Sequence, residues 1–141
     1  MSEPDRAAAP IFRPVRGRLV SAVLGAGIFV GSIALSIALP QQFEIMDRLT
    51  CAGIGIAVAL FMSRYATIHA RPDADGLYVR NLGAGELVPW HEIRTVRFSQ
   101  GMPWPRIDLV DGTVMAVVAI HRADGPRSVD EAQRLADLIG T

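Results

Sequence analysis

Residues 19–39, LVSAVLGAGIFVGSIALSIAL, run for 21 positions without a charged side chain. At about 1.5 Å of rise per residue this stretch makes a helix of about 32 Å, which matches a hydrocarbon core of roughly 30 Å. It predicts a transmembrane helix, preceded by Arg6, Arg13, Arg16 and Arg18. A cleaved signal peptide is the competing reading, because Ser36-Ile37-Ala38 resembles a small-x-small cleavage site. The apolar run is longer than the roughly 7–15 residues of a signal peptide and closes on Pro40, Gln41 and Gln42, which favours a span.

Working outward, a second apolar stretch covers Leu49 to Met62, with 15 uncharged residues between Arg48 and Arg64. That is about 22 Å of helix, short for a full crossing. Arg48 and Arg64 can snorkel to the two interfaces, and Tyr65 suits an interfacial belt, so a second span is expected, with a re-entrant or interfacial helix as the alternative. The expected helices cover about 19–39 and 47–65 of a transmembrane hairpin, 19–65, that follows a basic N-terminal tail, 1–18. Arginine is dense before the first stretch and after the second but sparse in the connector. The positive-inside rule then predicts a multi-pass cell-membrane protein, with both termini in the cytoplasm and Gln41 to Asp47 outside. If the second stretch does not span, the C-terminal domain lies outside.

Gly27 and Gly31 form a G-x-x-x-G on the first helix, and Cys51, Gly55 and Ala59 repeat small residues every fourth position on the second. Such faces let helices approach closely. One reading is a homo-oligomer formed through them. The other, favoured by the short connector, is that the two helices of one hairpin pack on these faces.

The 141 residues leave room for one small water-facing domain beside the hairpin, which excludes a large two-domain enzyme. The formal net charge is zero, so attraction to nucleic acid has no support. All 14 basic residues are arginine, a pattern that codon supply explains. The single cysteine, Cys51, cannot form an intramolecular disulfide and is expected to pack as a small apolar group.

From 66 to 141 the pattern becomes short β-like runs separated by turn residues. The expected strands are Thr67–Ala70, Leu77–Leu82, Glu86–Val88, Ile93–Ser99, Trp104–Val110 and Thr113–Ile120, the last consistent with a central or doubly covered position because it is almost continuously apolar. Asp111-Gly112 predicts a two-residue type I′ hairpin turn. Ser128-Val129-Asp130-Glu131 fits a capping box, and Val129, Ala132, Leu135, Ala136 and Ile139 then share one face of a helix over 129–139.

Two apolar helices, then Gly76-Leu77-Tyr78-Val79-Arg80-Asn81, Val88-Pro89-Trp90-His91-Glu92-Ile93 and Leu109-Val110-Asp111-Gly112-Thr113, resemble the small bacterial PH-domain membrane proteins of actinobacteria, including the low molecular weight protein antigen 6 group. The resemblance covers roughly residues 18 to 121, and its most specific piece is Trp90-x-x-Ile93 with the downstream Asp111-Gly112 hairpin. It implies a membrane α + β protein: a two-helix transmembrane hairpin followed by a small antiparallel PH-like β barrel or sheet, capped by the C-terminal helix. The family has no established activity to carry over.

Chemistry is sparse. His69, His91 and His121 have no metal-ligand spacing, Asp108 and Asp111 read as strand and turn residues, and Gly83-Ala84-Gly85 lacks the elements of a phosphate loop. No catalytic, cofactor or metal site is expected. Trp90 is expected to pin the sheet edge or the barrel core, with a ligand or partner surface as the alternative. Trp104, between Pro103 and Pro105 in the loop Gln100 to Pro105, is a candidate contact with a partner or membrane interface, or a structural staple. Arg94, Arg97 and Arg106 are the candidate anion site, with Arg97 and Arg106 as expected cross-strand neighbours. From Arg64 onward nine arginines face ten acidic residues, so no broad basic face exists.

The functional expectation is a non-catalytic, membrane-anchored adaptor or scaffold that binds a protein partner or a lipid headgroup at the cytoplasmic surface. The alternative is an accessory or regulatory subunit of a membrane complex assembled through its helices.

Overall fold

The computed structural model describes residues 3–140. Met1, Ser2 and Thr141, which the expected outer segments include, lie outside the described residues. The chain divides into two compact units, one built from residues 17–66 and the other from residues 1–16 together with 67–141.

The 17–66 unit is a pair of helices. A short α1 (Glu3–Ala7) precedes it in the chain, so its members are α2 (Val15–Ala38) and α3 (Ile45–Tyr65). Both are long and apolar enough to cross a membrane, and only 11% and 6% of their most apolar 18-residue windows are buried. α3 starts with a reciprocal cap, in which the Glu44 carboxylate accepts from a first-turn amide and Asp47 Oδ2 accepts from Glu44 N–H at 2.9 Å. This pattern satisfies amide donors that a helix start leaves open.

Arg48 does more than snorkel. Its guanidinium donates to the carbonyls of Ser36 (3.0 Å), Ile37 (3.1 Å), Leu39 (2.6 Å) and Pro40 (3.3 Å), while Ser36 Oγ donates to Arg48 O at 2.7 Å. One planar cation thereby satisfies the carbonyls that the end of α2 leaves without intrahelical partners. Gly55 is the closest approach between the helices: a Cβ there would stand 1.8 Å from Ser32 Oγ and 2.2 Å from Ser32 Cβ. Gly25 packs similarly on Met62, at 3.1 Å from its Cβ. Gly27 and Gly31 do not join this contact, since both are exposed and a Cβ on either meets nothing within 4 Å. The helix pair uses the face of Gly25 and Ser32, half a turn away from the G-x-x-x-G.

The other unit holds two three-stranded antiparallel sheets. The first has β1 (His69–Pro72), β2 (Gly76–Arg80) and β3 (Glu86–Pro89) in that order, and the second has β4 (Ile93–Arg97), β5 (Arg106–Leu109) and β6 (Val114–Ala116). The sheets do not close into a barrel. They are stitched instead by one side chain. Asn81 Nδ2 donates to Ala116 O at 2.9 Å and Asn81 Oδ1 accepts from Val118 N–H at 3.2 Å, so a side-chain amide replaces a peptide unit between the first sheet and the end of the second.

The apolar run 113–120 forms only the three-residue edge strand β6, not the central strand its composition suggests. Its remainder turns inward, where Val117, Ala119 and Ile120 are fully buried. An unbroken apolar run reports burial and is silent about strand length. The closing helix α4 (Pro126–Ile139) begins earlier than the capping box predicts. Gly125, at φ +70°, precedes it and Pro126 occupies the first turn, where a missing N–H costs nothing. Ser128 is thus inside the helix, buried, with Oγ donating to Gly125 O at 2.7 Å, and Glu131 pairs with Arg127 at 3.1 Å. Ala132, Leu135 and Leu138 are the buried residues of the apolar face.

Residues 3–16 are no free tail. Phe12 is fully buried, its N–H donates to Ala70 O at 2.8 Å, and Ala70 N–H donates back to Phe12 O at 3.0 Å, an antiparallel bridge on the outer edge of β1. The Arg134 guanidinium lies 4.2 Å from the Phe12 ring centroid. Asp124 accepts from the N–H groups of Val15 (3.1 Å) and Arg16 (2.8 Å), which fastens the far end of the segment.

Candidate functional site

Trp90 sits in a 3-10 turn, Trp90–Glu92, between β3 and β4. Its indole is buried, and Nε1–H donates to Asp73 O at 2.9 Å, so the ring edge is committed and a face remains. The Arg6 guanidinium of α1 lies over the ring at 5.3 Å from the centroid, a cation–π distance. Arg6 Nε is buried without a hydrogen-bond partner among the described residues. Arg6, Trp90, His91, Asp75, Leu87 and Ile139 are among the residues that line a cavity of about 640 Å³. Ile93, next to the turn, starts β4 and is buried.

Trp104 is half-buried and packs against His121 with ring centroids 5.9 Å apart. The loop that carries it is braced by Arg122, whose Nε donates to Met102 O and whose Nη2 donates to Ser99 O, each at 2.7 Å. The same guanidinium covers Phe98 at 4.3 Å. Contacts from His121 and Arg122 thus hold the loop in place.

Arg97 and Arg106 are register partners on β4 and β5, as cross-strand neighbours should be. Arg97 Nη2, however, donates to Asp108 Oδ1 at 2.6 Å, so its charge is matched by a carboxylate on the same face. Arg106 is exposed, and Arg94 stands at an irregularity in the register between Ile93 and Thr95. The three arginines do not converge on one anion site. Among the described residues no group of three or more His, Cys, Asp and Glu side chains can hold a metal ion.

The Asp111-Gly112 turn differs from the two-residue I′ form. Only Gly112 has a positive φ, +88°, and the hydrogen bonds Gly112 N–H to Leu109 O (3.0 Å) and Leu109 N–H to Thr113 O (2.9 Å) close a three-residue loop. Asp111 stays at negative φ because its carboxylate has another job. Oδ1 accepts from the Thr113 hydroxyl at 2.7 Å and from Thr113 N–H at 2.8 Å, and these bonds, the hydroxyl's first, hold its carboxyl pKa below the ordinary aspartate value. A lowered carboxyl pKa makes the contribution fully present above the ordinary carboxylate range and lost as pH falls through the folded value. Protection of the Thr113 amide, its exchange rate relative to the intrinsic one, should therefore fall only as pH drops below the ordinary carboxylate range, and Asp111→Ala should abolish that acid-dependent loss. An unchanged profile in Asp111→Ala would count against the bond.

Residues 69–137 match the family model described as bacterial PH domain. Proteins of Mycobacterium bovis and Mycobacterium tuberculosis, both described as uncharacterized, are 32% identical to this chain over 97 residues. The alignment covers 69% of this chain and 63% of each relative, so the chain spans less than two thirds of the length of these curated relatives. No solved structure matches it. The matched residues contain both sheets and nearly all of α4, with Trp90, Ile93, Asp111 and Gly112 at the turns that join them. Residues 69–137, just under half of the chain, are thus similar to a bacterial PH domain.

Proposed function

We propose that the chain is a membrane-anchored, non-catalytic PH-like adaptor, whose helix pair sits in the cell membrane and whose β unit binds a protein partner at the cytoplasmic surface. The observation that carries this reading is the Phe12–Ala70 bridge. Two flanks hydrogen-bonded to each other lie on one side of any bilayer, so the chain between them crosses an even number of times. The helices expose Leu24, Val30, Leu35, Ile54, Leu60 and Phe61, a surface that lipid accepts and water does not. Two crossings account for it. The arginine-rich flanks set the cytoplasmic side. A protein partner is favoured over a headgroup at the β4–β5 face because Asp108 neutralises Arg97 there.

The test uses the full chain in native membranes. Alkaline carbonate should fail to extract it, a C-terminal reporter should be active only inside the cell, and a photo-cross-linker at position 106 should give a discrete protein adduct that Trp104→Ala diminishes. A reporter active outside refutes the orientation, and the absence of any adduct refutes the adaptor reading.

A second reading rests on Gly27 and Gly31, which face open space on α2. There the chain is an accessory subunit that offers this face to a helix of a larger complex. Gly27→Leu with Gly31→Leu would then release the chain from the complex while leaving the helix pair intact.

A further inference from the structure

The Arg6–Trp90 cavity lies outside every residue invoked for partner binding. Its volume, about 640 Å³, falls within the roughly 300–1,000 Å³ of small-molecule sites. Its walls divide by chemistry. Leu87, Pro89, the Trp90 ring and Ile139 supply apolar surface, while Arg6 and His91 supply donors.

Arg6 is the informative group. Its guanidinium carbon stands 5.3 Å from the Trp90 ring centroid, and a guanidinium carries a planar fork of N–H donors that suits an acceptor. Nε is buried and without a partner among the described residues, and a buried donor in that state costs free energy until an acceptor arrives. The acceptor that matches a guanidinium edge is an oxyanion, carboxylate or phosphate, through charge-assisted bonds. His91, exposed on the 3-10 turn, adds an imidazole on the same cavity wall. Asp75 limits the choice: it is an exposed residue of the cavity lining, and its charge disfavours a second negative charge nearby.

We infer that this cavity binds a monoanionic oxyanion carried on an apolar body, with Arg6 and His91 on the oxyanion and Leu87, Pro89, Trp90 and Ile139 around the body. Such a ligand comes from two sources: a free organic acid or the phosphodiester of a lipid. A polyanionic headgroup is the wrong ligand, because Asp75 opposes it.

The site carries its own reporter. The chain has two tryptophans, so in a Trp104→Phe background Trp90 is the sole indole. Full-length protein in phosphatidylcholine nanodiscs is titrated with cyclohexylacetate, and in parallel prepared in nanodiscs containing increasing phosphatidylglycerol. A saturable change of Trp90 emission in the first series assigns a free acid, and one in the second series assigns a lipid. Arg6→Gln should weaken the response about tenfold or more, as loss of a charge-assisted bond predicts. His91→Gln, a change at an exposed ring that leaves the fold in place, should weaken it several-fold. Inositol hexakisphosphate should not compete. No saturable change in either series, an undiminished response in His91→Gln, or displacement by inositol hexakisphosphate overturns the inference.

Discussion

Phe12→Ala should destabilise the β unit by about 3–5 kcal/mol, the cost of removing a fully buried aromatic ring and leaving its cavity behind. Against the roughly 5–15 kcal/mol that holds a typical domain together, such a loss removes much of the stability. The ring fills the space beneath Arg134 and anchors the segment bridged to the outer edge of β1, so its removal also leaves that guanidinium without its aromatic cover. Ile11→Ala is the natural comparison. Ile11 is adjacent but 37% exposed, and its truncation should cost about 0.5 kcal/mol or less. Chemical denaturation of the full chain in mild detergent, followed by tryptophan emission, separates the two. Equal midpoints for both variants would mean that the N-terminal segment is not part of the core.

Gly55→Ala carries the second large effect. Its Cβ would fall 1.8 Å from Ser32 Oγ and 2.2 Å from Ser32 Cβ, and the second of these atoms cannot rotate out of the way because it is fixed to the backbone. The helices must separate, at a cost of about 1–3 kcal/mol typical of overpacking. Ser32→Gly in the same chain removes both offending atoms, so the double variant should recover most of the loss, a coupling that a double-mutant cycle measures directly. Gly31→Ala, which meets open space, should cost nothing and can gain from alanine's better helix propensity. If Gly31→Ala proves the more damaging in thermal unfolding of the reconstituted protein, the contact face has been misassigned.

What the sequence reveals follows from the range of the interactions involved. The two helices are legible because hydropathy is a local property, and their ends, Val15–Ala38 and Ile45–Tyr65, fall within a few residues of expectation. All six strands overlap the expected runs, although β1 is displaced by two residues and β6 is cut to three. The type of the Asp111-Gly112 turn is misjudged because a carboxylate with a hydroxyl and an amide to accept from prefers negative φ, and Thr113 supplies both. The start of α4 is misjudged because Gly125-Pro126 outcompetes Ser128 as an entry to the helix, two good signals two residues apart.

The role of residues 3–16 is illegible for a different reason. Nothing local marks Phe12 as buried, since it lies between Ile11 and Arg13 in a short basic stretch, and its partner Ala70 lies beyond both apolar helices. Arg6 shares that fate, and with it the Trp90 cavity. Arg97 and Arg106 are placed well by strand register, but the Asp108 carboxylate that neutralises Arg97 is two positions along the neighbouring strand, where sequence alone marks only a strand residue. Asn81 ends the Gly76–Asn81 motif, and only the second sheet reveals why an amide is needed there.

The bridge between Phe12 and Ala70 also orders events in time. The ribosome makes the first piece of the β unit, then both apolar helices, and only afterwards β1 and the remaining strands. The unit cannot close until its last strands and α4 emerge, so Phe12 waits, exposed, while the helices are delivered to their destination. Completion of the β unit therefore requires that synthesis has passed through both helices, and a chain cut short within them would carry only the first piece of that unit.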